Sequence, residues 1–472
     1  MWADCRGAFK TEKSWRRARN LLVSSLVCLG RHTITGFLCA AGRQFRDWSG
    51  DYRVFSESRF EPDELFSVIA RRLADCLQPG EPFVAAMDDS ILRKTGRRIP
   101  GVKYHRDPMS PPFRVNLVRG QRVIQLSGAL PAADGQGPAR MIPVDFVDLA
   151  SPVKPRKDAP AQAWQQYRES RLACSAGRVG ALRLHALRSR LDADASGRGR
   201  PLWVVVDGGF TNKTVLKDLP ERSVLVGRIR GDAKLYHPPC PQSARPLGRR
   251  RVYGHRAATP EQLRQDESVP WQTICVSAAG SVHHLKVKTL APLRWRSAGQ
   301  HHTLRLVVIA PLAYRPRKGS RLLYRRPAYL ICTDPDIPVE KVVQAYIWRW
   351  DIEVNFRDEK QVLGVGEAQV RSADSVRTAP ALVVAAYAML LLAAARALGA
   401  SGSELLPEPK WRTGRRKARA STADLIRHLR CELWGQALGV SHFSGFTTPD
   451  SPDAKPENHL PHLQSAVLYA VG

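Results

Sequence analysis

Two apolar runs constrain this chain more than anything else in it. PFVAAMDD (82–89) and LWVVVDGG (202–209) each read as a buried β-strand that ends on aspartate. Between them, FRVNLVRGQRVIQLSGAL (113–130) predicts two strands around a tight turn at Gly120, and AWQQYRESRLACSAGRVGALRLHALRSRL (163–191) predicts one long helix. The order strand, strand, strand, helix, strand belongs to an α/β domain. The whole chain has 472 residues, more than one hydrophobic core usually organises, so two or three domains are expected.

Strand-terminal aspartates have two uses. They start turns, or they hold divalent cations over a rigid apolar floor, as metal-dependent phosphoryl transfer requires of two or three converging carboxylates. A downstream segment, VEKVVQAYIWRWDIEVNFRDEKQVLG (339–364), favours the second use. It predicts a long helix, and Tyr346, Arg349, Glu353 and Lys360 stand on it at i, i+3, i+7 and i+14. At about 100° per residue the four share one stripe roughly 60° wide. Trp350 and Phe356 lie on either side of that stripe. A plain surface ion pair between Arg349 and Glu353 would leave the aromatics and Lys360 unexplained. A carboxylate for a metal, with an arginine and a lysine for phosphates, explains all of them.

The charge points the same way. Lys and Arg number 73 against 43 Asp and Glu, a net +30. Such a balance implies a polyanionic partner, nucleic acid first and an anionic membrane surface second. Residues 222–326 carry 21 basic and 4 acidic residues, a net +17, in strand-like runs separated by Gly and Pro. More than half of the excess charge therefore lies in this one basic, β-rich segment. Nine scattered cysteines with no CxxC exclude the usual zinc fingers and make a disulfide framework unexpected. The opening residues lack the pattern of a secretory signal. An uncharged stretch of 17 residues, 379–395, contains Pro380 and reads as a buried core helix. A cytosolic location is expected. No GxxxxGK[ST] loop is present, which argues against an ATP-driven motor.

The first 75 residues read as short helices, with Thr33 a candidate N-cap. They fit either a helix-turn-helix flanked by arginines or a plain bundle with a basic face. After the apolar helix come a basic loop (PKWRTGRRKAR), a helix capped by Ser421 and a Pro-rich tail.

The spacing Tyr346-x2-Arg349-x3-Glu353-x6-Lys360 resembles the YREK signature of a large group of bacterial insertion-sequence DDE transposases. DDSILRKTG after the first strand, HRDP, VDGGFTNKTVLKDLP with GRIRGDAKLY, and TDP before WRWDIEVNFRDEKQVLG resemble the same group. The likeness runs from about 82 to 400 and is loose at both termini. It implies a ribonuclease H-like mixed sheet with flanking helices, a β-rich insertion between the second Asp and the Glu, and a helical N-terminal DNA-binding domain. The implied division is 1–78 N-terminal domain, 79–221 first part of the core, 222–326 insertion, 327–400 second part of the core and 401–472 tail.

By the same resemblance, Asp88, Asp207 and Glu353 would bind two Mg²⁺ ions, with Mn²⁺ a substitute. One ion would activate water and later a 3′-hydroxyl, and the other would stabilise the leaving oxygen. The pattern favours Asp88 as first ligand, with Ser90 in the hydroxyl position and Asp89 in reserve. Tyr346, Arg349 and Lys360 would grip phosphates of the transposon end. Lys94, Arg97 and Arg98 are candidates for backbone phosphate contact, and Trp295 is either a core residue or a stacking platform for a displaced base. Partners would be double-stranded DNA, both transposon ends and target, and a second copy of the chain at the paired ends; no membrane is expected. A non-catalytic DNA-binding protein derived from a transposase and a related metal nuclease that cuts without joining are the alternatives.

Overall fold

The computed structural model describes residues 1–107, 110–111, 113–132, 137–239, 251–399, 419–439 and 463–470. The basic loop around 410–418 and the Pro-rich tail lie outside the described residues.

The central sheet is built from β1 (Phe83–Arg93), β2 (Lys103–Arg106), β3 (Leu117–Pro131), β4 (Ala139–Asp148), β5 (Leu202–Val206), β6 (Ser223–Arg228), β7 (Leu235–Tyr236), β8 (Gln272–Ala278), β9 (Ser281–Trp295) and β10 (Gly299–Ile309). A two-stranded ribbon of β11 (Ala313–Tyr314) and β12 (Leu323–Tyr324) precedes its last strand, β13 (Ala328–Cys332). The sheet order is β2-β3-β1-β5-β6-β13-β10-β9-β7, with β4 beside β3 and β8 beside β9. β1, β5 and β6 are parallel and the other pairs antiparallel, so the sheet is mixed.

Helices cover both faces, which is why the central strands are apolar throughout. Alternation divides them: Phe83, Ala85, Met87, Leu202, Val204 and Val206 pack into one cluster, and Val84, Ala86, Trp203 and Val205 into another. The first cluster takes α4 (Pro62–Ala74), α6 (Ala176–Asp192) and α11 (Ala373–Leu398), together with α1 (Glu12–Val27), α2 (Ile34–Ala40) and α3 (Ser49–Ser56). The second takes α9 (Val339–Trp348) and α10 (Asp351–Gln361) through Val342, Val343, Ala345, Trp348, Ile352 and Phe356. The result is a mixed α/β fold of the ribonuclease H-like kind. α11 is long and apolar enough to cross a membrane, but 61% of its most apolar window is buried within the protein. The remaining α-helices are α5 (Ala161–Ala173), α7 (Lys213–Lys217), α8 (Pro260–Gln265), α12 (Thr422–Trp434) and α13 (Leu463–Leu468).

Local signals hold where they rest on one residue's own chemistry. The Thr33 hydroxyl accepts from Gly36 N, and Ser421 forms a capping box with Asp424. All eight described cysteines are free. Three expectations change. Gly120 is not a turn but an in-strand residue of β3, opposite Arg93 on one side and Lys103 on the other. A Cβ there would come within 2.5 Å of Leu92 O, so glycine serves a close backbone approach. β1 continues past its aspartates to Arg93 because β3 pairs with it throughout. The helix expected over 163–191 breaks at Cys174 and Ser175 into α5 and α6. The strands of 222–326 lie in the central sheet, and the N-terminal helices share the sheet's main hydrophobic cluster.

Candidate active site

The carboxylates come together through strand register. β1 and β5 are parallel with Met87 opposite Val206, which sets Asp88 and Asp207 side by side just past the paired ends, about 5 Å apart in backbone. Both follow residues whose side chains point to the other face, so both face α9 and α10. Burial, and then the neighbouring Asp207, push the Asp88 carboxyl up to about 7. Asp88 Oδ1 accepts from Asp89 N at 2.8 Å, and Asp207 Oδ1 accepts from Gly209 N at 2.8 Å.

Asp89 points to the opposite face and pairs with Arg122 at 2.6 Å. That engagement leaves Asp88 as the member of the doublet that faces Asp207.

The helical segment over this face is not one straight helix. The α ladder gives way to i→i−3 bonds at Trp350, Ile352 and Glu353, separating α9 from α10. The tightened turn lies where Arg349 reaches beneath the helix toward the strands. Its Nη1 is 3.5 Å from Asp88 Oδ2 and its Nη2 is 3.6 Å from Glu353 Oε1. The guanidinium also lies over the Tyr346 ring, 5.4 Å from its centre, and its Nε is buried without a partner. One turn after Phe356, Lys360 Nζ donates to Ser90 Oγ and lies 5.7 Å from the centre of the Phe356 ring. Burial draws the Lys360 ammonium below its ordinary value and the Tyr346 hydroxyl above its own. All four residues of the stripe thus gather over Asp88 and Ser90, although the helix that carries them is bent. Trp350 is exposed and Phe356 buried.

Other candidates fall elsewhere. Lys94 is buried, and its ammonium donates to Gly366 O at 2.9 Å and Ala368 O at 2.8 Å. With two of its three donors on carbonyls and its side chain buried, it ties the loop after α10 to the end of β1. Arg97 and Arg98 are exposed on the loop beyond β1. Trp295 is half-buried in β9, opposite Gly299 and Leu235, and packs against the main core. It does not stand clear as a stacking platform.

Sequence reasoning missed Arg228. Val206 pairs with Gly227, so Arg228 follows Asp207 in the same row of the sheet, exposed and near enough to act on the Tyr346 hydroxyl. Its signal was present in GRIRGD, directly after a strand, but only the parallel pairing of β5 with β6 gives it a place.

The donor set fits a hard divalent cation. Two adjoining carboxylates on rigid strand ends, one of them held near neutrality by burial and by the other, make a site with surplus negative charge in oxygen ligands. Among the described residues no three His, Cys, Asp or Glu side chains already converge on one point. Glu353 connects to the aspartate pair through Arg349, which fills the cationic role between them.

No curated protein matches this sequence. A family profile described as DDE superfamily endonuclease matches residues 6–303, a span that contains Asp88 and Asp207 and ends before Glu353. More than half of the chain lies within that match, and the protein belongs to the DDE superfamily endonucleases.

Proposed function

We propose that this endonuclease is the transposase of an insertion sequence, binding terminal inverted repeats, cleaving at them and joining the ends to new DNA. The observation that carries the reading is the facing arrangement of Asp88 and Asp207, in register on adjacent strands, beneath the Arg349–Glu353 pair. Asp88, Asp207 and Glu353 would hold two Mg²⁺ ions, or Mn²⁺ in their place. Bound there, such ions activate an attacking oxygen and stabilise a leaving one.

The chain's own residues do the rest. Arg349, once released from the carboxylates, grips a non-bridging phosphate oxygen beside the cut, with Tyr346 holding its guanidinium plane in place. Lys360 and Arg228 flank the same point from α10 and β6, and Arg97 and Arg98 meet the duplex backbone farther along β1. The helical N-terminus supplies sequence recognition. Two copies act together, one at each end of the element, in the cytoplasm where the nucleoid offers the target. The net charge of +30 makes binding steeply salt-dependent.

The test is a reaction on a plasmid carrying the gene's own flanking DNA together with a second target plasmid and Mg²⁺. Discrete cuts at both flanks and recovery of the fragment joined to the target support a transposase. Cuts without any joined product identify a nuclease, and binding without cuts identifies a non-catalytic DNA-binding protein.

A further inference from the structure

The β11–β12 ribbon between β10 and β13 serves neither the sheet nor the site described above. In the sheet, Arg305 to Ile309 pair with Cys332 to Ala328. The same register continues through Arg325 N donating to Leu312 O at 2.9 Å, then Ala313 opposite Tyr324 and Tyr314 opposite Leu323. The ribbon is therefore an unshifted extension of the β10–β13 pair that leaves the sheet with no further strand beside it.

Its direction follows from register. Asp88, Asp207, Arg228, Leu330 and Val307 occupy one row across five strands. β13 is antiparallel to β6, so its N-terminal end points the way the carboxylate ends of β1 and β5 point. Tyr314 lies seven residues beyond Val307 on the rising strand. At about 3.3 Å per residue the ribbon reaches roughly 23 Å past the carboxylates, displaced sideways by about two to three strand spacings, roughly 10–15 Å.

Its chemistry is one-sided. Residues 312–326 include Arg315, Arg317, Lys318, Arg321, Arg325 and Arg326 and no acid, and all six cations are exposed. None of them has an acidic partner among the described residues. The tip is ordered by its own bonds: Ser320 N and Oγ donate to Arg317 O at 3.0 and 2.7 Å, and Ser320 Oγ accepts from Arg317 N at 3.1 Å. Arg325 lies over the Tyr314 ring, 5.2 Å from its centre. Six like charges on a narrow ribbon repel one another, and solubility alone would be served by mixed charge. A polyanion running past the carboxylates removes that repulsion, and a two-stranded ribbon fits the major groove of B-DNA.

We infer that residues 312–326 form a DNA-binding arm that enters the groove of duplex lying across the carboxylate site and grips it about seven base pairs from the cut, at ~3.4 Å per base pair. This rests on the reading of Asp88, Asp207 and Glu353 as the cutting centre. The arm makes the site specific for substrate that is double-stranded well to one side of the reacting phosphate.

The experiment uses the full chain and a labelled 30-bp duplex of arbitrary sequence, with binding measured across a salt series. Each phosphate contact contributes about 0.9 to the slope of log K against log salt. Replacing Arg315, Arg317, Lys318 and Arg321 together by Gln should lower that slope by about 3–4, and the milder Lys318→Gln/Arg321→Gln pair by about 2. A control with Arg156, Lys157, Arg168 and Arg171 changed to Gln, exposed cations in the stretch leading to α6 on the opposite sheet face, should shift it by less than about 1. The replaced side chains are exposed, so thermal melts should match the wild type. A wild-type slope in both ribbon variants, while the wild type still binds the duplex and cuts a plasmid carrying the gene's flanking DNA, overturns the arm alone. Loss confined to a single-stranded oligonucleotide also overturns it. A wild-type protein that neither binds the duplex nor cuts a plasmid carrying the gene's own flanking DNA overturns the arm and the functional reading together.

Discussion

Arg349 and Asp88 stand 3.5 Å apart across the gap between the α9–α10 turn and β1, and the same guanidinium reaches Glu353 at 3.6 Å. One arginine thus offsets part of the negative charge where two aspartates crowd each other. Removing it should have opposite effects on metal and on DNA. Arg349→Ala should bind Mn²⁺ several-fold more tightly by titration calorimetry, because Asp88 and Glu353 lose their competing cation. Cleavage should fall about 100-fold for lack of the phosphate grip, with a stability loss of about 1–3 kcal/mol from the broken buried pair. Unchanged or weaker Mn²⁺ binding would show that Arg349 does not compete for the site.

Lys94 offers a second test, since its sequence context invites a phosphate role that its burial denies. Lys94→Met keeps the length but leaves the carbonyls of Gly366 and Ala368 without their donor. A loss of about 1–3 kcal/mol in urea unfolding is expected, with the salt dependence of DNA binding unchanged. A lowered salt slope at full stability would return Lys94 to the DNA surface.

Glu359 links stability to pH. Burial pushes its carboxyl up to about 8, from the 4.5 of an open chain. Between those values the native state holds a proton that the unfolded chain releases. Its contribution is full below about 4.5 and is lost as pH rises through about 8. Urea midpoints of the wild type should therefore fall between pH 5 and pH 8 more than those of Glu359→Gln, and the variant should be the more stable protein at pH 8. Parallel profiles would show that Glu359 is not held protonated.

What was legible in the sequence was local or doubly constrained. PFVAAMDD and LWVVVDGG could only be buried strands, and their aspartates were in view at once. Thr33 and Ser421 announced their helices because a cap needs nothing beyond its own turn. Gly120 misled because glycine serves a turn and a close approach equally well. The break at Arg349 and Trp350 interrupts a good helical pattern for the sake of contacts with β1, which periodicity does not contain. Lys94 and its carbonyls are 272 and 274 positions apart, so only the fold could reveal that its charge is used internally. Arg228 needed the order of β5 and β6 before it had a neighbour.

Nicking of supercoiled plasmid carrying the gene's own flanking DNA, in Mg²⁺, by wild type, Asp88→Asn, Asp207→Asn and Glu353→Gln tests the central claim most directly, with duplex binding measured on the same preparations. The wild type should cut, and each variant should lose at least about 10³-fold in rate while still binding DNA, since one liganding carboxylate is gone from each. Any one of the three cutting at the wild-type rate would contradict the assignment of Asp88, Asp207 and Glu353 as a single metal-dependent site.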